Sequence, residues 1–309
     1  MNTQDVLDPK SWAERTFGSV QLHDMRRKIS GVGHIGNERG RGFFVQTVLA
    51  VRPETQEVLG CLAQEPFVRI PAPEGEQRHQ RLKREKRETD VWIRQVHSIG
   101  TPDPGSMWVH VGDRGADMFP FFPACQATQT HFLVRAAQNR RVQGNEDELM
   151  SSLTRTRAFP SQASRPFEVP ARHGHQARST QLQLAFGQMT LLPPRNEPRA
   201  SKDPVTVWVI RVWEEQARDA EEPLEWILLT SVPTTTLEQA WERVDWYRHR
   251  WLVEDYHQCL TSGCRIEERQ GPPVDGLMRR LGSVVASCRA AVRRFVRPLV
   301  KTQSVLPMR

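Results

Sequence analysis

The 309-residue sequence contains no apolar run long enough to span a bilayer, and no secretory apolar segment follows Met1. Its five cysteines are odd in number and scattered, and no pair has the spacing of a zinc finger. These absences predict a chain without membrane helices or disulfides, in a reducing, cytoplasmic setting.

Basic side chains are in excess. The net charge is +7 and the sequence pI is about 9.5, while 38% of the residues are hydrophobic and 26% charged. This composition allows a packed core in one large or two small domains. A basic balance is compatible with a polyanionic partner, most commonly nucleic acid, although on its own it is weak support.

Alternating and apolar stretches predict an α/β or α+β chain with a mixed sheet. RGFFVQTVLAV (41–51) and EVLGCLAQEPFV (57–68) predict paired strands across an RPETQ turn, and residues 165–231 have a β pattern. THFLVRAAQNRR (130–141) predicts a strand that ends in a basic loop. Helices are predicted at 76–98, 143–156 and 277–300.

The stretch WYRHRWLVEDYH (246–257) lies in a long helical pattern. A capping box of Thr235 and Glu238, with Gly263 as a stop, predicts one helix of about 27 residues. At about 100° per residue, one narrow stripe of that helix holds Tyr247, Arg250, Glu254 and Thr261. The stripe is either an ordinary intrahelical Arg250–Glu254 ion pair or a functional face.

Asp113 lies where the predicted strand of MWVHVGDRGADMFPFF (107–122) gives way to a glycine-containing turn. It is either a capping residue of that turn or a functional carboxylate. If Asp113 and Glu254 converge, their oxygens suit Mg²⁺, and two such ions can activate water in phosphodiester cleavage. Arg250 and Tyr247 would then contact phosphates.

The spacing of Tyr247, Arg250 and Glu254 resembles the Y-x2-R-x3-E-x6-K signature of the insertion-sequence-four family of DDE transposases, which are bacterial cut-and-paste enzymes. The resemblance spans roughly residues 19–300 in order. It continues through the segments GNERGRGFFVQTVLAV, GDRGADMFPFF, HFLVRAAQ, EWILLTSVPTTTLEQAW and SGCRIEERQ.

The resemblance implies a ribonuclease-H-like mixed sheet flanked by helices, with a β-rich insertion. Its first part would cover 19–164, the insertion 165–225, and the second part, with the acidic signature helix, 226–300. Residues 1–18 would be an atypical, foreign N-terminus and 301–309 a tail. The implied activity is metal-dependent DNA cleavage and strand transfer at transposon ends, with Mg²⁺ as cofactor and Mn²⁺ as substitute.

The resemblance also implies roles for single residues. Asp113 looks like the second metal-binding aspartate and Glu254 like the metal-binding glutamate. Tyr247 and Arg250 look like the residues that hold the phosphate of a flipped base, and Trp226 like the aromatic that stacks on it. Arg135 matches a basic residue near the active site. Without the family, Trp226 reads as an ordinary strand aromatic and Arg135 as a surface charge.

The implied partners are double-stranded DNA, as terminal inverted repeats and as target, and a second copy of the chain in a synaptic homodimer. The implied location is the bacterial cytoplasm, in association with the nucleoid.

Two positions depart from the family pattern. Thr261 occupies the position of the signature lysine, so a phosphate contact is weakened or lost. The first metal-binding aspartate should fall at Gly18, yet the preceding DPKSWAERTF does not read as an apolar strand. Asp5 and Asp24 are the nearest carboxylates, and neither has the expected context. The sequence therefore predicts a truncated or frameshifted copy that has lost its central strand and a separate N-terminal DNA-binding domain.

Three functions follow from these patterns. The first is a transposase catalytic core whose activity is compromised by the missing carboxylate. The second is a non-catalytic DNA-binding remnant that acts as an inhibitor or is a pseudogene product. The third is an interaction protein without a nucleic acid partner, which an absence of DNA binding at low salt would indicate.

Overall fold

The fold is taken from a computed structural model that describes residues 13–23, 33–35, 40–68, 73–77, 80, 87–144, 151–169, 177–195, 197, 200–215 and 223–263. The predicted helix at 277–300 lies outside these residues. The chain divides into two compact units. The first unit comprises Met1–Val111, Thr128–Thr130 and His249–Arg309, and the second comprises Gly112–Ala127 and His131–Arg248.

The described part of the first unit contains a mixed sheet. Its strands are β1 (Ala13–His23), β2 (Gly33–Ile35), β3 (Gly40–Arg52), β4 (Glu57–Phe67) and β5 (Trp108–Gly112). The order is β4, β3, β1, β5, and β2 pairs with the start of β3. β3 runs antiparallel to both β1 and β4, whereas β1 and β5 are parallel. The predicted pairing of 41–51 with 57–68 is confirmed.

Strand β1 corrects the prediction that no strand precedes Gly18. Residues Ala13–His23 pair with β3 along ten positions and, at their N-terminal end, with β5. The sequence of this stretch is not strongly apolar, and its strand conformation follows from hydrogen bonding to neighbours on both sides, which can override local composition. The central strand of the first unit is therefore present.

Helix α1 (Asp90–Ile99) of the first unit is shorter than the predicted 76–98 helix. Of the residues predicted before α1, Gln80 is helical and Glu76 and Gln77 are not, Glu88 and Thr89 form a turn, and 78–79 and 81–86 lie outside the described residues. α1 buries Val91, Trp92, Gln95 and Val96, which recur at helical spacing, and it ends at Gly100 with a φ of 82°. It lies beside β4.

The second unit contains an antiparallel sheet. Its strands are β6 (His131–Arg135), β7 (Ala163–Val169), β8 (Arg178–Leu191), β9 (Val205–Glu214) and β10 (Glu225–Thr230). The order is β6, β10, β9, β8, β7, with antiparallel pairing throughout. The predicted α/β class with a mixed sheet and a β-rich part is confirmed.

Helices α2 (Phe121–Ala127), α3 (Ser152–Arg157) and α4 (Leu237–Arg248) belong to the second unit. The helix predicted at 143–156 begins only at Ser152. Gln143 and Gly144 are not helical, Ser151 forms a β-bridge to Arg141, and 145–150 lie outside the described residues.

The predicted 27-residue helix is wrong because the chain forms α4, a tight turn and α5 (Trp251–Gln258). Leu252 N donates to His249 O at 2.9 Å, an i to i−3 hydrogen bond that interrupts the α-helical pattern. A π-helical turn, Cys259–Gly263, follows α5. α4 and α5 belong to different units, so the stripe is not the face of one straight helix.

The predicted capping box is also shifted by one residue. Gln239 Oε1 accepts from Thr236 N at 3.3 Å, and Gln239 N donates to Thr236 Oγ1 at 3.3 Å. This reciprocal pair replaces the predicted pair of Thr235 and Glu238.

Among the described residues, no helix is both long and apolar enough to cross a membrane. Cys61, Cys125 and Cys259 are thiols that take part in no disulfide.

Candidate DNA-contact and metal-binding residues

Asp113 follows β5 and caps the short 3-10 turn Arg114–Ala116. Its Oδ1 accepts a hydrogen bond from Gly115 N at 2.7 Å. The capping role that the sequence left open is therefore present, and it engages one carboxylate oxygen. A metal-binding role for Asp113 stays a prediction.

Asp117, which the sequence did not single out, is the buried carboxylate of the same segment. It accepts from Ala137 N at 2.6 Å and Gln138 N at 2.7 Å, and it pairs with Arg140 at 2.5 Å. Its side chain has no exposed surface, and that of Arg140 is 10% exposed. Asp117 thereby fixes the turn after Asp113 to the loop after β6. The one feature of the sequence that could have indicated this contact is the basic run QNRR after a strand, because it contains the partner Arg140.

Arg135 ends β6 and is half-buried. Its Nη2 donates to the main-chain oxygen of Glu225 at 2.9 Å. This bond fixes the orientation of the guanidinium. Its predicted contact with DNA remains a proposal.

Trp226 and Tyr247 lie in an aromatic cluster with Phe167. The ring centroids of Trp226 and Tyr247 are 5.4 Å apart and those of Trp226 and Phe167 5.9 Å, both edge to face. Trp226 is 7% exposed and Tyr247 5%. A base can reach the indole face only if a neighbouring ring moves aside, so the predicted stacking needs a rearrangement of this cluster.

In the first unit, position 18 lies on the same sheet face as a buried polar network. Gly18 is directly opposite Thr47 in the β1–β3 pairing, and opposite residues share a face. Thr47 Oγ1 lies 3.0 Å from His257 Nε2 on α5, and α5 lies against β1 and β3. Gln64 Nε2 donates to both Thr47 Oγ1 at 3.3 Å and Tyr256 Oη at 3.0 Å. Position 18 therefore lies on the face that α5 covers.

Burial controls ionisation on α5. It lowers the pKa of His257 to about 4, so this imidazole is neutral near neutral pH. Burial, and then the negative charge of Glu254, raises the pKa of Asp255. The sequence could not reveal either effect, because both depend on how α5 packs on the sheet.

Arg250 and Glu254 form the intrahelical ion pair that the sequence left open. Arg250 Nη2 lies 2.6 Å from Glu254 Oε1, and the side chains are 13% and 44% exposed. The guanidinium carbon of Arg250 also lies 5.4 Å from the centroid of the Trp251 ring. The carboxylate of Glu254 is thus accessible, whereas Arg250 is largely covered.

Thr261, at the signature lysine position, is satisfied by its own helix. Its hydroxyl donates to His257 O at 3.1 Å and approaches Gln258 O at 3.3 Å. This back-bonding is common for threonine in helices. The hydroxyl proton is therefore engaged within the chain.

The described residues do not make up a complete site for Mg²⁺. No three His, Cys, Asp or Glu side chains among them come close enough together to hold a metal ion. Asp113 and Glu254 offer oxygen ligands of the right kind, but each is engaged, with Gly115 N and Arg250 respectively. Glycine at position 18 has no side chain and therefore supplies no carboxylate ligand.

No family model matches the chain. Among solved structures, it is similar to piggyBac transposase in a cryo-EM synaptic complex with hairpin DNA, with a TM-score of 0.40 and 10% sequence identity. The match covers 82% of this chain and 41% of that transposase, so the chain spans less than half of that protein. A likeness this distant carries no functional conclusion.

Proposed function

We propose that the chain is a DDE-type transposase core that binds DNA ends but has lost end cleavage because glycine replaces the first metal-binding carboxylate. The observation that supports this proposal is the environment of Gly18. Strand β1 occupies the centre of the first-unit sheet, and the helix that carries Glu254 lies against it. In this proposal, position 18 lies on a central strand beside the helix of Glu254 and lacks the carboxylate that the resemblance implies there.

In this proposal, Arg135 and Arg250 supply the positive charge that holds the phosphates of a DNA end. Both guanidiniums are fixed in the chain, Arg135 by a carbonyl oxygen and Arg250 by Glu254. A fixed guanidinium loses little freedom when it binds phosphate. Tyr247 contributes to the same phosphate contacts, and Trp226 receives a flipped base after its aromatic cluster rearranges.

Asp113 and Glu254 are proposed as the retained members of the metal-binding set, with Mg²⁺ or Mn²⁺ as the ions to test. Without a carboxylate at position 18, a metal-dependent nuclease should be slower by several orders of magnitude, because placement of the ion carries the chemistry. The proposed partners are the terminal inverted repeats of the element, target DNA and a second copy of the chain.

The proposal is tested by binding of labelled duplexes that carry the DNA flanking the gene, against duplexes of scrambled sequence. We expect the flanking DNA to bind more tightly, and Arg250→Gln and Arg135→Gln each to weaken it by about 3- to 10-fold. Arg94→Gln is the matched control, because Arg94 is an arginine of the first unit that, like Arg250, pairs with one glutamate but lies outside the signature residues. Absence of binding even at low salt contradicts the proposal.

A further inference from the structure

The segment Arg140–Gln143, here called the basic segment, is held rigidly in the second unit. Arg141 bridges to Ser151, and Val142 bridges to Leu191. Gln143 N donates to Thr190 O at 2.8 Å, and Leu192 N donates to Arg141 O at 2.9 Å. The side chains of the basic segment therefore project from a fixed backbone.

Two arginines at this segment are oriented by main-chain carbonyls. Arg141 Nη2 donates to Pro193 O at 3.0 Å, and Arg155 Nη1, from α3, donates to Gln143 O at 3.2 Å. A carbonyl accepts a hydrogen bond but carries no net charge, so each guanidinium keeps its full positive charge. Both side chains are half-buried, which restricts their motion.

The neighbouring arginines differ in this respect. Arg140 pairs with the buried Asp117 at 2.5 Å, and Arg157 pairs with Glu225 at 2.6 Å. Among the residues that the structure describes, the ion pairs of this region include neither Arg141 nor Arg155. Arg140 and Arg157 therefore have acidic partners, whereas Arg141 and Arg155 are bound only to carbonyl oxygens among the described residues.

We propose that Arg141 and Arg155 form a phosphate-contacting surface that binds the backbone of duplex DNA, in addition to the residues of the signature. The proposal rests on the DNA-binding function proposed above. Guanidiniums that are fixed by carbonyl oxygens and form no ion pair within the described part of the chain match the negative charge of a phosphate backbone, and the remaining N–H groups of each can reach phosphate oxygens. Because the contact is to the backbone, it is independent of DNA sequence.

The test is the affinity of the full chain for a random-sequence duplex, measured by fluorescence anisotropy at increasing salt. Arg141→Gln and Arg155→Gln should each weaken binding by about 3- to 10-fold and reduce the slope of log affinity against log salt by about 1, and together by about 2. Arg157→Gln is the matched control, since its charge is already compensated, and it should change the slope little.

Two further sets of variants test whether the positive charge of the arginines is what binds the DNA. Arg141→Lys and Arg155→Lys retain the charge and should retain most of the slope, so a loss there that equals the Gln variants overturns the proposal. The acidic run Glu146, Asp147 and Glu148 lies outside the described residues but close in sequence. Neutralising these three side chains should leave binding as tight as in the wild type or tighter, and weaker binding contradicts the proposal.

Failure of this inference can be distinguished from failure of the proposed function. If the wild type binds DNA and Arg141→Gln, Arg155→Gln and Arg157→Gln bind equally well, the phosphate surface is wrong and DNA binding stands. If the wild type binds no duplex at low salt, both proposals fall. If the wild type binds labelled poly-glutamate but no duplex, the surface serves an acidic protein instead.

Discussion

His257 Nε2 lies 3.0 Å from Thr47 Oγ1, and both side chains are buried in the first unit. Gln64 donates to the same hydroxyl, so the hydroxyl proton of Thr47 can be directed to a neutral imidazole. This arrangement ties α5, which carries Glu254, to the central sheet. Protonation of His257 removes the acceptor and leaves a buried charge.

The first prediction concerns stability at mildly acidic pH. Burial lowers the pKa of His257 from 6.5 to about 4, so the unfolded chain binds more protons than the folded chain between these values. The contribution of the neutral His257 to the free energy of unfolding is therefore complete above about pH 6.5. It is lost as the pH decreases toward about 4, by up to about 3 kcal/mol. Denaturant unfolding at several pH values measures this loss.

His257→Gln should flatten this pH dependence, since an amide does not titrate in the range. The exposed His97 offers the control, and His97→Gln should leave the pH profile unchanged. A wild-type profile that is flat between about pH 4 and 6.5 would show that His257 is not buried as a neutral group.

The second prediction concerns the buried ion pair of Asp117 and Arg140. Asp117→Ala removes the carboxylate that pairs with Arg140 and accepts from the amides of Ala137 and Gln138, and leaves Arg140 only its bond to the main-chain oxygen at position 117. We expect a loss of about 3–5 kcal/mol in the free energy of unfolding. Asp245→Ala removes a more exposed pair with Arg165 and should cost about 1 kcal/mol or less. Equal losses of unfolding free energy in the two variants would show that the buried pair does not stabilise the fold more than the exposed pair.

The third prediction restores the signature. Thr261→Lys adds a cation at the signature position. It should steepen the slope of log affinity for the flanking DNA against log salt by about 1. Gln258→Lys adds the same charge at an exposed position on α5 and is the matched control. If both variants change the slope equally, position 261 has no special relation to the DNA.

The fourth prediction concerns Trp226. Trp226→Leu keeps apolar bulk but removes the ring that contacts Tyr247 and Phe167, and we expect a loss of about 1–3 kcal/mol in stability. In a complex with DNA that carries 2-aminopurine near the end, the fluorescence gain of a flipped base should disappear. Trp251→Leu, at a 37% exposed tryptophan, should preserve both properties. A persistent fluorescence gain in Trp226→Leu would exclude this residue as the stacking partner.

The sequence predicted the strands well, because they depend on local apolar patterns. The pair of 41–51 and 57–68 and the β pattern of 165–231 could be read directly. β1 was missed, since its conformation depends on β3 and β5 rather than on its own composition. The 27-residue helix predicted to stop at Gly263 was too long, because the apolar periodicity of the sequence does not reveal the turn at His249.

In the candidate site, too, local features could be predicted from the sequence and contacts between distant segments could not. The Arg250–Glu254 pair and the cap by Asp113 could be anticipated from spacing and turn chemistry. The buried Asp117 and the neutral His257 could not, because both follow from contacts between distant segments.

The most direct test of the central claim is cleavage of a supercoiled plasmid that carries the DNA flanking the gene. Wild type, Glu254→Ala, Gly18→Asp, and Gly18→Asp with Glu254→Ala are compared in Mg²⁺ and then in Mn²⁺, with a gel shift of the same DNA alongside. We predict that the wild type shifts the DNA but nicks nothing, that Gly18→Asp nicks at the ends, and that Glu254→Ala abolishes this. Nicking by the wild type that Glu254→Ala abolishes would contradict the claim and show that another carboxylate, such as Asp24, completes the site.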